Sequence, residues 1–222
     1  MLDLLKTNTY YFLLCLLFLI VGGIGLSQIQ TGDFLIWFSE NRSIHLDSFF
    51  SFTTRLGEQY AYFVFVILAL FYRFRLVLII PLTAVIVLLI ALVLKEIFAH
   101  PRPSVFFYDQ LVQGQLQTVD GIHLLTGYSS FPSGHTLSAF TLYTLIALFF
   151  PKKKLMAFFF FSFALFIGLS RVYLVQHFLK DIYVGGLLGI LLASAIYLFQ
   201  QRWLPQQPTH WINRNLLSLR KN

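Results

Sequence analysis

The chain has 222 residues, 58% hydrophobic and only 11% charged, with a mean hydropathy of +0.75. That composition excludes an ordinary soluble domain and fits an all-α polytopic membrane protein, about six transmembrane helices of ~20 residues in one bundle. The net charge of +7 flanks apolar runs instead of clustering on a soluble face, which points to membrane orientation and away from nucleic acid.

The first apolar run covers residues 10–28, with Lys6 before it and the single cysteine, Cys15, inside it. One cysteine makes no internal disulfide. Gly25 and Ser27 make a small-x-small pattern, so a cleaved signal peptide competes with a span here. The run is long for a signal core, and Asp3 offsets Lys6, so a span is expected. Residues 31–58 are mixed. Phe34, Trp37 and Phe38 share one helix face by spacing, and Leu46, Phe49 and Phe50 another, as in short interfacial helices. An ordinary loop is the alternative. The run at 60–72 is short: it spans only by borrowing residues from about Thr53 onward, or it sits buried in the bundle. Residues 76–98 form the third span, with Lys95 and Glu96 in its last turn.

Residues 99–131 form the longest polar connection, and a loop of that length suits a lid or binding surface. The fourth span starts near Ser133 and runs to Phe150. Lys152, Lys153 and Lys154 follow. The fifth covers 155–169 and the sixth 182–199, where Gly185, Gly186 and Gly189 permit close helix contact. The tail, 201–222, is polar and basic. No repeat divides the chain, so residues 1–222 read as one membrane-embedded domain.

With the N-terminus inside, the inner segments hold Lys6, Arg73, Arg75, Lys152, Lys153, Lys154, Arg202, Arg214, Arg220 and Lys221. The outer segments hold Arg42, Arg55, Lys95, Arg102, Arg171 and Lys180. This asymmetry follows the positive-inside rule. It predicts a plasma-membrane protein with both termini cytoplasmic.

Three polar clusters then fall on the same outer face. The first is Lys95 to Arg102-Pro103. Its two cations need an anion, although Pro101 and Pro103 must end the helix before Arg102. Snorkelling of Lys95 and pairing of Arg102 with Asp109 is the plain alternative. The second is Pro132-Ser133-Gly134-His135. It reads as a helix start whose free N–H groups bind an anion, with His135 beside it. Simple capping by Ser133 is the alternative. The third is Ser170 to Asp181. If this stretch is helical, His177 and Asp181 lie four apart on one face, so the carboxylate can orient the ring and leave its other nitrogen nucleophilic. Arg171 offers a fork of donors suited to phosphate. Together the clusters carry the equipment for phosphoryl transfer without a metal.

Lys95-x6-Arg102-Pro103, Pro132-Ser133-Gly134-His135 and Ser170-Arg171-x5-His177-x3-Asp181 resemble the three signature motifs of the type 2 phosphatidate phosphatase superfamily. That superfamily also holds bacterial acid phosphatases and vanadium haloperoxidases. Every signature position between residues 95 and 181 is filled. The run of spans is closer to the membrane lipid phosphatases. The resemblance implies an all-helical core, no metal or other cofactor, and a phosphohistidine intermediate. It implies that His177 attacks phosphorus and Asp181 orients it. His135 would protonate the leaving oxygen and then activate water. Lys95, Arg102, Ser133, Gly134 and Arg171 would bind the phosphoryl oxygens.

The expected function is therefore hydrolysis of a lipid phosphate or diphosphate at the outer face. Two readings compete with it. A phosphotransferase would use the same intermediate with another acceptor. An anion transporter would have no use for His177 and Asp181 at this spacing. Phosphatidylglycerophosphate, phosphatidate, undecaprenyl diphosphate and lipid A all offer an anionic head on apolar tails. Neither the choice among them nor the oligomeric state is written in a motif.

Overall fold

The computed structural model describes residues 2–219, and every regular element among them is helical. In chain order these are α1 (Leu2–Thr7), α2 (Thr9–Gln28), α3 (Asp33–Glu40), α4 (Ile44–Arg55), α5 (Gln59–Tyr72), α6 (Phe74–Phe98), α7 (Pro103–Phe106) and α8 (Tyr108–Val112). After a long irregular stretch follow α9 (Gly134–Leu148), α10 (Lys154–Tyr173), α11 (Leu179–Trp203), a 3-10 turn at Trp211–Asn213, and α12 (Leu216–Leu219).

Six apolar helices, α2, α5, α6, α9, α10 and α11, build one bundle. Four apolar stretches have the length to cross a membrane: α2, α10, α11 and the one that α6 begins. The other two are shorter, α5 as the run at 60–72 implies and α9 by a few residues more than expected. Helices α5 and α9 have 14 and 15 residues, or ~21–23 Å at 1.5 Å per residue against a hydrocarbon core of ~30 Å. Helix α5 borrows nothing from Thr53, because the chain breaks at residues 56–58 and Thr53 belongs to α4.

Helix α9 is short because it is the axis of the bundle. Helices α6, α10 and α11 pack around it, and every residue from Ala139 to Leu148 is buried. A helix apolar on all sides belongs inside, and one sheathed by protein need not match the bilayer thickness. Its polar groups are satisfied there. Thr141 Oγ1 donates to the Leu137 carbonyl at 2.7 Å, and Thr144 Oγ1 shares a 2.6 Å hydrogen bond with the Tyr11 hydroxyl of α2. Gly185 lets α11 come close. A Cβ there would lie 2.8 Å from the Ser133 carbonyl oxygen.

The two ends of the bundle differ. At one end the Lys152 N–H donates to the Thr7 carbonyl, which ties the first helix to the lysine loop, and the Phe74 N–H donates to the Arg214 carbonyl, which ties the tail to the α5–α6 junction. Arg75 is 1% exposed there. It donates to Gln200 Oε1 at 2.6 Å, to Gln206 Oε1 at 3.1 Å and to the Pro205 carbonyl. Arg220 and Lys221, counted with the inner charges, lie outside the described residues. At the other end α3 and α4 form the expected short helices. Trp37 is exposed and stacks on Phe34. Phe38 does not share their outward face. It turns inward with Phe50 onto Tyr173, at ring-centroid distances of 5.2 and 4.4 Å, because burying two phenyl rings is worth more than lining up three aromatics in the interface.

Candidate active site

The three polar clusters meet at the end opposite the lysine loop. Helix α6 stops at Phe98, where Ala99 takes a left-handed conformation with φ 41°. This is the stop that Pro101 dictates. Lys95 therefore rides the last turn of α6, and Arg102 lies beyond it in the loop. A Cβ placed on Gly134 would be 3.7 Å from Lys95 Nζ, so the ammonium faces the start of α9.

Ser133 starts α9 and caps it, the role that the sequence left as the alternative to its hydroxyl binding an anion. Its Oγ accepts from the Thr136 N–H at 3.4 Å and from the Thr136 hydroxyl at 2.9 Å. Its own N–H donates to the Asp181 carbonyl at 3.0 Å, which fastens the second cluster to the third. The N–H groups of Gly134 and His135 sit in the first turn, where no intrahelical carbonyl is available. The His135 ring has no hydrogen-bond partner among the described residues. Arg171, His177, Lys95 and Arg102 all lie within electrostatic reach of it.

His177 and Asp181 come together by a route the sequence reading did not foresee. They are not on one helix face, because α11 begins at Leu179 and His177 precedes it. Asp181 sits in the first turn and folds back. Its Oδ2 accepts from the Phe178 N–H at 2.9 Å and lies 3.5 Å from His177 Nδ1. The helix start thus supplies both the dipole and the N–H that hold the carboxylate. With Nδ1 turned to Asp181, the other ring nitrogen, Nε2, is left for chemistry. Burial pushes the His177 pKa down to about 4, although hydrogen bonding to Asp181 pulls the other way. The ring is therefore neutral and nucleophilic at physiological pH.

Arg171 is 6% exposed. Its Nη1 donates to Thr54 Oγ1 of α4 at 2.6 Å, and its Nε is buried without an acceptor. Arg102, also buried, is not paired with Asp109. It donates to Ser129 Oγ, the Ser129 carbonyl and the Gln176 carbonyl at 3.1 to 3.3 Å. It thereby ties the 99–131 connection to the residue before His177. Neither arginine nor Lys95 forms an ion pair among the described residues.

Sequence reasoning missed Ser130 and Thr54. Ser130 Oγ donates to Asp181 Oδ2 at 2.5 Å and lies 3.5 Å from His177 Nδ1, so it is the second donor that holds the carboxylate. Its place three residues before Ser133 is the one available hint. Thr54 carries none, since it reaches the site from α4. Outside the cluster, Lys180 Nζ donates to His100 Nε2 at 2.9 Å.

Beside the site a cleft of about 620 Å³ runs between α5, α6 and α9. Lys95, Gly134, His135 and Glu58 line its polar end, and Ala84, Val85 and Leu88 its apolar end. From Ala84 to Lys95 is ~16 Å along α6, about one leaflet of hydrocarbon.

Residues 76–205 match the model of the PAP2 superfamily. A segment is 37% identical over 81 residues to phosphatidylglycerophosphatase B of Bacillus subtilis (strain 168), covering 33% of this chain and 40% of that protein. Two solved structures share the fold. The transmembrane PAP2-type phosphatidylglycerolphosphate phosphatase of Bacillus subtilis has a TM-score of 0.64 at 25% identity, over 89% of this chain and 98% of that one. LpxE of Aquifex aeolicus has a TM-score of 0.58 at 29% identity, over 77% and 96%.

Proposed function

Because the chain belongs to the PAP2, or type 2 phosphatidate phosphatase, superfamily, we propose that it hydrolyses a lipid phosphate monoester through a phosphohistidine at His177. The observation that carries this reading is the His177–Asp181 pair beside three cations that form no ion pair among the described residues. Such a site favours a group that is both anionic and electrophilic.

His177 Nε2 attacks phosphorus while Arg171, Lys95, Arg102 and the first-turn N–H groups of α9 bind the phosphoryl oxygens. Ser133 contributes by capping those N–H groups into place. The P–O bond to the lipid breaks in line, and the departing oxygen takes a proton from His135. His135, now neutral, removes a proton from water. The resulting hydroxide attacks phosphorus, the P–N bond breaks, and inorganic phosphate leaves with His177 neutral again. Charge stabilisation comes from the cations, so no metal is required. The lipid tails lie in the cleft between α5, α6 and α9, whose length suits the outer leaflet.

Purified protein should release inorganic phosphate from a glycerophospholipid monoester in excess chelator. Activity that chelator abolishes and magnesium restores would contradict the metal-free reading. The site should face away from the cytoplasm, as the inner lysines require. Cysteines at exposed Tyr128 and Gln207 report this, with an impermeant reagent on intact cells labelling Tyr128→Cys and sparing Gln207→Cys. The opposite pattern inverts the topology.

A further inference from the structure

We infer that Glu58 sets headgroup selectivity in this site, admitting an uncharged, hydroxylated headgroup joined through one phosphate and repelling the inner phosphate of a lipid diphosphate. The inference rests on the phosphatase reading above and deepens it.

The break between α4 and α5 is held against the catalytic helix. A Cβ on Gly57 would lie 2.4 Å from Ile167 Cγ2 and 3.7 Å from the His135 carbonyl oxygen. Only a glycine lets the chain pass that closely. The next residue, Glu58, precedes α5, yet its side chain makes no capping hydrogen bond. It forms no ion pair either among the described residues. Its carboxylate lines the same cleft as Lys95, Gly134 and His135, and it is the sole acidic residue lining it. It also lies within electrostatic reach of Arg171.

Position decides what this carboxylate meets. His177 attacks from one side, so the leaving oxygen departs on the other, toward His135. The cleft continues from His135 past Glu58 and Gln59. For a monoester, the group there is the headgroup alcohol. Glu58 accepts from its hydroxyls, and Gln59 can donate or accept. For a diphosphate, the group there is a lipid monophosphate that carries negative charge. Lys95 attracts that charge and Glu58 repels it, so the carboxylate shifts the balance against diphosphates. Glu58 is half exposed, which limits the effect to on the order of tenfold through screening.

The test compares kcat/KM of the purified chain for lysophosphatidate, whose leaving alcohol is an uncharged monoacylglycerol with a free hydroxyl, and for farnesyl diphosphate, in wild type, Glu58→Gln and Gln59→Lys. Gln59 is exposed, so its substitution adds a cation at the same mouth without disturbing the fold. Both variants should raise the diphosphate-to-monoester ratio by roughly tenfold, and Glu58→Gln should raise the KM for the hydroxylated monoester. A ratio that stays put in both variants, or two substrates that fall in parallel, overturns the inference. Wild-type protein that releases phosphate from neither lipid overturns the phosphatase reading instead.

Discussion

Buried arginines stand at opposite ends of the bundle, and they are finished differently. At the end of the lysine loop Arg75 gives both terminal nitrogens to two glutamine side chains and a proline carbonyl from α11 and the tail, and only its Nε lacks an acceptor among the described residues. At the opposite end Arg171 has a single acceptor, Thr54, among the described residues, its Nε lacks one as well, and Lys95 and Arg102 stand near it. Burying a cation is costly in both places. Around Arg75 the chain supplies three acceptors, and the result is a clasp. Around Arg171 like charges face one another, and Thr54 is its one acceptor among the described residues. The contrast is between a cation tied into the fold and one left with donors to spare, as the proposed phosphate site requires.

Four experiments break or sharpen that contrast. The largest effect belongs to His177→Ala, which removes the proposed nucleophile. Turnover should fall by at least ~10⁴-fold for every substrate, and residual activity comparable to wild type would move the nucleophile elsewhere.

Next, Arg171→Gln should lower kcat/KM by ~10²–10³-fold, the scale of losing one charge-stabilising donor. Its melting temperature should hold or rise, since a repulsive buried charge is gone. Vanadate should stabilise wild type against heat and stabilise this variant far less. A variant that melts early while keeping its rate would make Arg171 a structural residue.

Arg75→Met should do the reverse. Three acceptors lose their partner, at about 1–3 kcal/mol for each one left buried and unsatisfied. Thermal unfolding should show the loss while the rate per folded molecule stays near wild type. A selective loss of rate would couple the two ends.

The smallest effect is in pH. The His177 pKa is lowered to about 4, so its ring stays unprotonated as pH falls through 6.5 and gains a proton only near 4. With an aryl phosphate, whose leaving group needs little acid help, kcat/KM should be flat from pH 7 to about 5 and drop below that. A drop centred near 6.5 would mean that burial does not govern this ring.

The candidate site was more legible in the sequence than its supports. Lys95, Arg102, Ser133, His135, Arg171, His177 and Asp181 announce themselves as charge or helix punctuation in an apolar chain, because such groups near a membrane are costly. The stop at Pro101 and the helix start at Ser133 follow from local chemistry, and the structure has both. Ser130 and Thr54 are ordinary hydroxyls in ordinary positions, and only the fold brings them to Asp181 and Arg171. The pairing of His177 with Asp181 was read from helical spacing, yet it arises from a carboxylate turned back over a helix start. Spacing of four fits both geometries. The clasp went unread for a similar reason: Arg75 looked like an orientation signal, and its partners lie more than a hundred residues on.

The sheathed position of α9 bears on how the protein is made. Fifteen residues with three buried threonines and a buried tyrosine form a weak signal for lateral release into lipid. Helices α10 and α11, which cover it, are translated after it. Helix α9 therefore gains its stable place only once those two arrive and the Tyr11–Thr144 bond has closed. The end that carries the candidate site is completed only by α11, and a nascent chain halted after Phe150 holds His135 without His177 and Asp181.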